Sequence, residues 1–449
     1  MNILIVETVW MGGATYKFLD KTLLTAFSIL PTLQAHEIAA ITPKHHTVTV
    51  INERYTPINF HEKYDVVHIN FVTSTAPRAY EIADTFRKNN VPVVLSGLHA
   101  SGVPDEAKQH ADSVLIGRAE LSWLTLLQDI EQKSLQPFYA STPYDDTICL
   151  PPTKIQLPRF VMTGAIEATR GCPYQCTFCP ETTFSKGTGY YKRPVDEVIA
   201  EIKTLPQKIF TFYDTSLTID PDYTKTLFKK MKGLHKRFLC NGNADVLASD
   251  PELVRLAKEA GCICWLIGFE SISQPTIDSV GKKTNTVNQY TTAIQNIHNN
   301  RMAVIGCFMF GFDTDTPTIF DETLDVIKQL EIDIPDFCIL TPFPGTPVFQ
   351  QFEAEGRILT KDWTHYNLKH VVFQPKQMTP EQLLQGIQKM YMGLYTPMFS
   401  LKRIMKSLRF GLYPFFAVFA RNIVATMNSR RLFTKLEKKK KKVRMPTRL

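Results

Sequence analysis

The stretch Arg170-Gly171-Cys172-Pro173-Tyr174-Gln175-Cys176-Thr177-Phe178-Cys179-Pro180 sets three cysteines in one short loop with the spacing CxxxCxxC. Three thiolates so spaced fit round one iron–sulfur cube and leave its fourth iron without a protein ligand, whereas an electron-transfer cluster takes four cysteines. A site one ligand short binds a substrate or cofactor there, as an open metal site does. The competing reading is a set of structural thiols or a zinc knuckle. Zinc favours four ligands in CxxC pairs. No second pair lies near, and Cys262-Ile263-Cys264 is too tight.

Downstream of this loop, strand-like segments at 208–213, 238–241, 264–267, 304–309 and 337–340 join one just upstream, 165–168. Helical patterns at 195–204, 223–234, 251–260, 288–299 and 320–330 separate them. Asp250 before Pro251 reads as an N-cap with proline at the first helical position. Gly261 reads as the C-cap glycine of the same helix. Cys149, Cys240, Cys262, Cys264, Cys307 and Cys338 read as core residues, since free cysteine is commonly buried.

Upstream, short apolar runs at 3–6, 47–51, 66–71, 92–96 and 113–116 alternate with helical patterns at 19–30, 80–88 and 120–131. That order predicts an α/β unit with a doubly wound parallel sheet. Ligands of such sheets bind beyond the carboxyl ends of the strands. The loops in that position are 7–15, 72–76, 97–101 and 117–120. A proline-rich connector with Pro143, Pro151, Pro152 and Pro158 follows and reads as an interdomain linker.

The chain of 449 residues is too long for one ordinary domain, and its 44% hydrophobic content is that of a globular protein. Nine cysteines without a leader point to a reducing cytoplasm rather than a disulfide framework, because Met1-Asn2 runs straight into a strand-like segment. The net charge of +8 is uneven. Residues 401–449 carry fifteen Lys or Arg against Glu437 alone, so the preceding 400 residues are net acidic. The basic character belongs to a tail.

With its CxxxCxxC loop, the aromatic Phe178 before the last cysteine and the six strands alternating with helices, the central region resembles the radical S-adenosylmethionine (radical SAM) enzymes. The resemblance implies a partial (β/α)6 barrel, a 4Fe-4S cluster on Cys172, Cys176 and Cys179, and SAM chelated at the open iron. It places Phe178, Asp214, Glu270 and Gly311 round SAM. Asp214 reads equally as a helix or turn cap. The segment 340–347, Leu-Thr-Pro-Phe-Pro-Gly-Thr-Pro, resembles the loop after the sixth strand, though it also makes an ordinary rigid turn. The segments 65–70, 96–100 and 116–120 resemble the cobalamin-binding domains that precede many radical SAM domains. That implies cobalamin contacts from Gly12, Gly13, Thr73, Ser96, Gly97, His99, Gly117 and Glu120. The DxHxxG loop that supplies a histidine to cobalt in several such proteins is missing, and residues 7–13 read Glu-Thr-Val-Trp-Met-Gly-Gly. A flavodoxin-like domain with another ligand is the alternative, and His99 also suits a core role.

The domains expected are 1–140 (cobalamin-binding), 141–163 (linker), 164–375 (radical SAM barrel) and 376–449 (helical region with basic tail). Residues 362–375 and 378–383 resemble the post-barrel region of the subgroup that includes hopanoid methylases. Thr379 and Gln382 read as a capping box with Pro380 at the first helical position. The apolar run 412–420, flanked by Arg409 and Arg421, is too short to span a bilayer. With the lysines 438–442 it suits a helix lying in an anionic membrane surface, or one packed on the barrel beside a solvated tail. The lysine run lacks the interleaved aromatic residues of a nucleic-acid site. The expected activity is methylation of an unactivated carbon in a hydrophobic substrate, with electrons from a flavodoxin or ferredoxin. Carbon–carbon or ring formation, and a cobalamin or cluster sensor without turnover, are the rivals. The motifs name no catalytic acid or base.

Overall fold

The computed structural model describes residues 1–8, 33–54, 56–144, 163–186 and 188–443. Strands β1 (Asn2–Glu7), β2 (Thr47–Asn52), β3 (Val66–Asn70), β4 (Val93–Ser96), β5 (Ser113–Ile116) and β6 (Phe138–Ala140) form one parallel sheet in the order β2-β1-β3-β4-β5-β6. β1 is apolar on both faces because both are covered. Leu4 and Val6 pack with Val67, Ile69 and the helix Ala76–Lys88. Ile3 and Ile5 pack with Leu115 and the helices Gln34–Ile41 and Trp123–Glu131. The sheet is therefore doubly wound, as the alternation predicts. Four strands and α-helices of this unit escape the sequence reading: β6, whose three residues carry no periodic signal, and the helices Gln34–Ile41, Leu98–Gly102 and Pro104–Gln109. The helix expected at 19–30 lies outside the described residues.

A second parallel sheet runs β7 (Thr163–Ile166), β10 (Ile209–Phe212), β11 (Arg237–Asn241), β12 (Cys262–Glu270), β13 (Ala303–Phe310) and β14 (Ile334–Ile339) in sequential order. Between β7 and β10 lies a two-stranded antiparallel pair, β8 (Thr169–Arg170) with β9 (Tyr191–Lys192). β7 and β14 stand at opposite edges, so the curved sheet is an open barrel. One face packs Phe210, Phe238, Trp265 and Phe308 against the surrounding helices. On the other face, Ile263, Ala303, Ile305 and Ile334 near the strand starts meet Phe410 and Val418 from the C-terminal helices. Those helices, Pro397–Ser407 and Leu412–Val443, make a hairpin tied by Arg403 Nε donating to Asn422 Oδ1 at 2.8 Å and by Ser400 Oγ bonding Thr426 Oγ1 at 2.7 Å. The hairpin plugs the bottom of the barrel.

The carboxyl ends of the two sheets meet. A Cβ on Gly102 would stand 2.3 Å from Pro344 O, in a barrel loop that Thr183 Oγ1 steadies from within the same domain by donating to Gly345 O at 2.8 Å. Glycine at 102 is what lets the N-terminal domain close on the barrel loop 344–346. The expected caps are present: Asp250 accepts from Leu253 N, Gly261 is left-handed at φ +109°, and Thr379 and Gln382 form the capping box. Among the described residues, no helix is long and apolar enough to cross a membrane.

Candidate active site

The three cysteines lie half-exposed in the loop after β8, at the mouth of the barrel. The loop is fixed at several points. Gly171, at φ +77°, lies where a Cβ would sit 2.2 Å from Gly189 O. Thr215 Oγ1 donates to Gly171 O at 2.9 Å, and Thr177 N donates to Val280 O at 3.0 Å. Phe178 is buried, edge-on to Phe312, and so holds the loop to the barrel core.

Asp214 is buried and accepts three hydrogen bonds from the residues before the loop: Ala168 N at 3.1 Å, Thr169 N at 2.5 Å and Thr169 Oγ1 at 2.6 Å. Burial, with the charge of Glu167 nearby, pushes its carboxyl up to about 7 against those donors. The structure gives Asp214 the work of a clasp between two strand ends, the capping alternative in a longer-range form.

Glu270 ends β12 at φ +61°, a left-handed backbone rare for a non-glycine residue, beside a register shift in the β12–β13 pairing. Its Oε1 accepts from Lys282 Nζ at 2.7 Å. Lys282 is one site residue that the sequence reading does not single out. Burial opposes its charge, but Glu270 and the thiols of Cys176 and Cys179 outweigh it and hold the ammonium above its ordinary value. Burial in turn raises all three thiols, Cys179 to about 12, and Lys282 acts on each in the opposite sense. The donor set fits a cluster: three soft thiols on one braced loop with a fixed cation beside them. A Cβ on Gly268 would stand 2.4 Å from Glu270 Oε1 and 3.0 Å from Lys282 Nζ, so only glycine leaves this carboxylate–ammonium pair its place. Gly311, at φ +105°, instead lets Leu383 and Phe373 of the post-barrel region pack close.

Two arginines reach reciprocally across the domain junction on either side of the cysteines. Arg170 of the barrel enters the N-terminal domain, with Nη2 at 2.5 Å from Glu37 Oε1 and Nη1 at 2.6 Å from Glu120 Oε1. Its Nε lies 2.9 Å from Glu167. Arg118 of the N-terminal domain enters the barrel, with Nη2 at 2.8 Å from Glu181, two residues beyond Cys179, and Nη1 at 3.6 Å from Glu167. Both arginines are buried. Burial raises Glu167 to about 7, and Glu37 also lies above the ordinary carboxylate range for that reason, with Arg170 opposing. Apart from Glu167 and Arg170, three residues apart, no local spacing links these groups, and the sequence reading singles out Glu120 alone among them.

The described N-terminal loops expected to meet cobalamin follow the carboxyl ends of β3, β4 and β5. Gly12 and Gly13 lie outside the described residues. Thr73 opens a short turn of helix, Thr73–Thr75, and is buried. Ser96 Oγ bonds His68 Nε2 at 2.8 Å. Gly97, at φ +109°, lies where a Cβ would meet Phe71 O at 2.2 Å. Gly117 N donates to Ser101 Oγ at 2.9 Å. Two placements differ from the expectation of open ligand contacts. His99 is wholly buried, with Nε2 3.3 Å from Glu106 Oε1, its ring edge-on to Trp363 and Nδ1 without a partner. Glu120 is bound to Arg170 and accepts from Tyr144 OH at 2.7 Å.

Below the mouth, the inner face of the barrel is half-open in strict alternation. Thr211, Leu239, Leu266, Cys307, Met309 and Cys338 are partly exposed while their strand neighbours are buried. Met309 and Cys338 are register partners. Period-2 alternation makes these one lining, mostly apolar and directly beneath Glu270.

The model of the Radical SAM superfamily matches residues 166–327. Over 385 residues the chain is 32% identical to bacteriochlorophyllide d C-12(1)-methyltransferase of Chlorobaculum tepidum, covering 82% of this chain and 83% of that one. It is 31% identical to bacteriochlorophyllide d C-8(2)-methyltransferase of the same organism, covering 80% and 84%. The fold is that of the radical S-adenosylmethionine methyltransferase TsrM from Kitasatospora setae, solved with cobalamin and a [4Fe-4S] cluster bound. The TM-score is 0.64 at 15% identity, over 79% of this chain and 78% of that one.

Proposed function

From the premise that the chain belongs to the radical SAM superfamily, we propose that it methylates an unactivated carbon of a hydrophobic substrate of the tetrapyrrole class. The carrying observation is the 32% identity to a bacteriochlorophyllide methyltransferase, which spans most of both chains rather than the cysteine loop alone. When bound, the 4Fe-4S cluster supplies the electron that cleaves SAM, and cobalamin supplies the methyl group.

The protein's part is to bind, orient and exclude water. Cys172, Cys176 and Cys179 hold the cluster. Glu270 and Lys282 offer a carboxylate and an ammonium to the amino-acid end of SAM, which carries the opposite charge at each group. The Asp214 clasp and buried Phe178 keep the loop at a fixed height above the barrel. The lining of Leu239, Leu266 and Met309 receives the substrate, with few groups able to hydrogen-bond it. Thr73, Ser96, Gly97, Gly117 and the buried arginine network set the N-terminal domain, and cobalamin with it, over the same opening. His99 supports cobalamin from further out, and Gly12 and Gly13 belong to the same reading as cobalamin contacts. The electron donor is a flavodoxin or ferredoxin. The enzyme works in the cytoplasm, touching the membrane from its inner face through the basic C-terminal region.

Anaerobic reconstitution with iron, sulfide, cobalamin and SAM tests the reading. Under reductant, 5′-deoxyadenosine and a methylated product should accumulate together when a chlorophyllide-type substrate is present. Cys176→Ala should lose both and the visible absorbance of the cluster. Deoxyadenosine without any methylated product would point instead to ring formation. A cluster without SAM cleavage would leave a sensor.

A further inference from the structure

The C-terminal hairpin buries one side and leaves the other without a partner. Ser400, Ile404, Ser407, Phe410 and Val418 face the barrel and each other. On the outer side, Met398, Leu401, Met405 and Leu408 recur at three- and four-residue spacing, each at least half exposed. Lys402, Lys406 and Arg409 each follow a member of this row by one position, so an apolar stripe runs beside a cationic one. Leu412 and Phe416 carry the apolar exposure onto the second helix. Of fourteen large apolar residues exposed among the described residues, nine fall between 398 and 427, so the surface apolarity of the chain is concentrated here. The run 396–436 contains no Asp or Glu.

From this arrangement we infer that the hairpin at the bottom of the barrel docks on an anionic phospholipid bilayer. The helix Pro397–Ser407 lies in the interface, and the turn at Gly411 points into it. This gives a defined surface to the peripheral contact proposed above. Charge decides between a bilayer and a second copy of the chain. Two such faces would oppose cation to cation with Glu331, already engaged by Lys406 and Arg409, as the acid beside them, whereas an anionic headgroup layer supplies counter-charge everywhere. Glu331 takes up part of the charge of Lys406 and Arg409; Lys402 has its ammonium over the Phe399 ring, 5.7 Å from the centroid. The docking face lies at the opposite end of the barrel from the cysteine loop. The mouth therefore points away from the bilayer, and the substrate reaches it from solution or from a carrier. The sequence-level expectation put the interfacial segment at 412–420. The structure moves most of the face to the preceding helix and buries Pro414, Val418 and Ala420.

The test is flotation of the full-length protein with vesicles of phosphatidylcholine alone or mixed with phosphatidylglycerol, at low and high salt. Flotation with the anionic vesicles, weakened by salt, is expected. Leu401→Asp/Met405→Asp, with the lysine tail intact, should weaken it by about tenfold or more while leaving the melting temperature and 5′-deoxyadenosine formation unchanged. Lys402→Glu should act in the same direction, and only on anionic vesicles. No flotation, flotation indifferent to these variants, or a dimer in size-exclusion chromatography that the same variants abolish would overturn the inference. None of these readouts needs methyl transfer, so the docking surface can fail while the proposed chemistry stands, and the reverse.

Discussion

Replacing Arg170 with Met removes the cation at the centre of the domain junction while keeping much of its apolar stem. The side chain is 2% exposed and touches Glu37, Glu120 and Glu167 at 2.5, 2.6 and 2.9 Å, themselves 6%, 5% and 11% exposed. Breaking a buried ion pair from one side costs about 3–5 kcal/mol, because the stranded charge has lost its water and its partner. Glu120 keeps Tyr144 OH, and Arg118 remains near Glu167, so the loss falls chiefly on Glu37. The stranded carboxylates relieve themselves by taking up protons, so the cost should be larger at high pH than at low pH. Urea titration of the apo-protein gives the cost as the shift of the first transition, since two domains need not unfold together. Glu37→Gln placed in the Arg170→Met background should restore about 1–3 kcal/mol, the scale of coupling between touching groups. In the reconstituted enzyme, 5′-deoxyadenosine per methylated product should rise, because the domain that carries the methyl donor is no longer held over the site. A loss below about 1 kcal/mol, no rescue by Glu37→Gln and an unchanged product ratio would together refute the clamp.

Three further outcomes are expected. Burial raises the Asp214 carboxyl to about 7, so the folded chain keeps a proton that the unfolded chain releases above about 4; stability of the apo-protein should fall as pH climbs through that window and level off above it. Asp214→Asn should flatten this slope in urea midpoints, and an unchanged slope would assign the titration elsewhere. Gly268→Ala drives a Cβ to 2.4 Å from Glu270 Oε1 and 3.0 Å from Lys282 Nζ, so the KM for SAM should rise about tenfold or more while cluster absorbance is retained; an unchanged KM would remove the pair from the SAM site. Met309→Trp fills the barrel lining and should cut methylated product at least tenfold, roughly the effect of 1.4 kcal/mol, with substrate-independent SAM cleavage intact; equal loss of both would show a collapsed barrel instead.

Much of the fold was legible because it is written in short-range signals. The β-branched runs, the caps at Asp250, Gly261 and Thr379, and the glycine-led loops each depend on a few adjacent residues. β12 is longer than its apolar centre, running Cys262–Glu270, because its start pairs with β11 and its end with β13. The cysteine loop could be placed at the barrel mouth from its position after the first strand alone.

The sequence by itself determined three thiols at one-cluster spacing, two consecutive parallel α/β units and a cationic C-terminus, since each is a pattern in neighbouring residues. The tertiary structure alone decided where the polar groups spend their hydrogen bonds. Asp214 turned to the strand end 45 residues upstream, His99 went into a closed aromatic cluster with Trp363, and Lys282 came to rest beside Glu270. Arg170 found Glu37 across 133 residues of chain. A buried charge takes whichever partner the closing sheets bring within reach, and parallel sheets bring together strand ends that crossover helices keep far apart in sequence. Local pattern fixes which residues are available, and long-range closure fixes which of them meet.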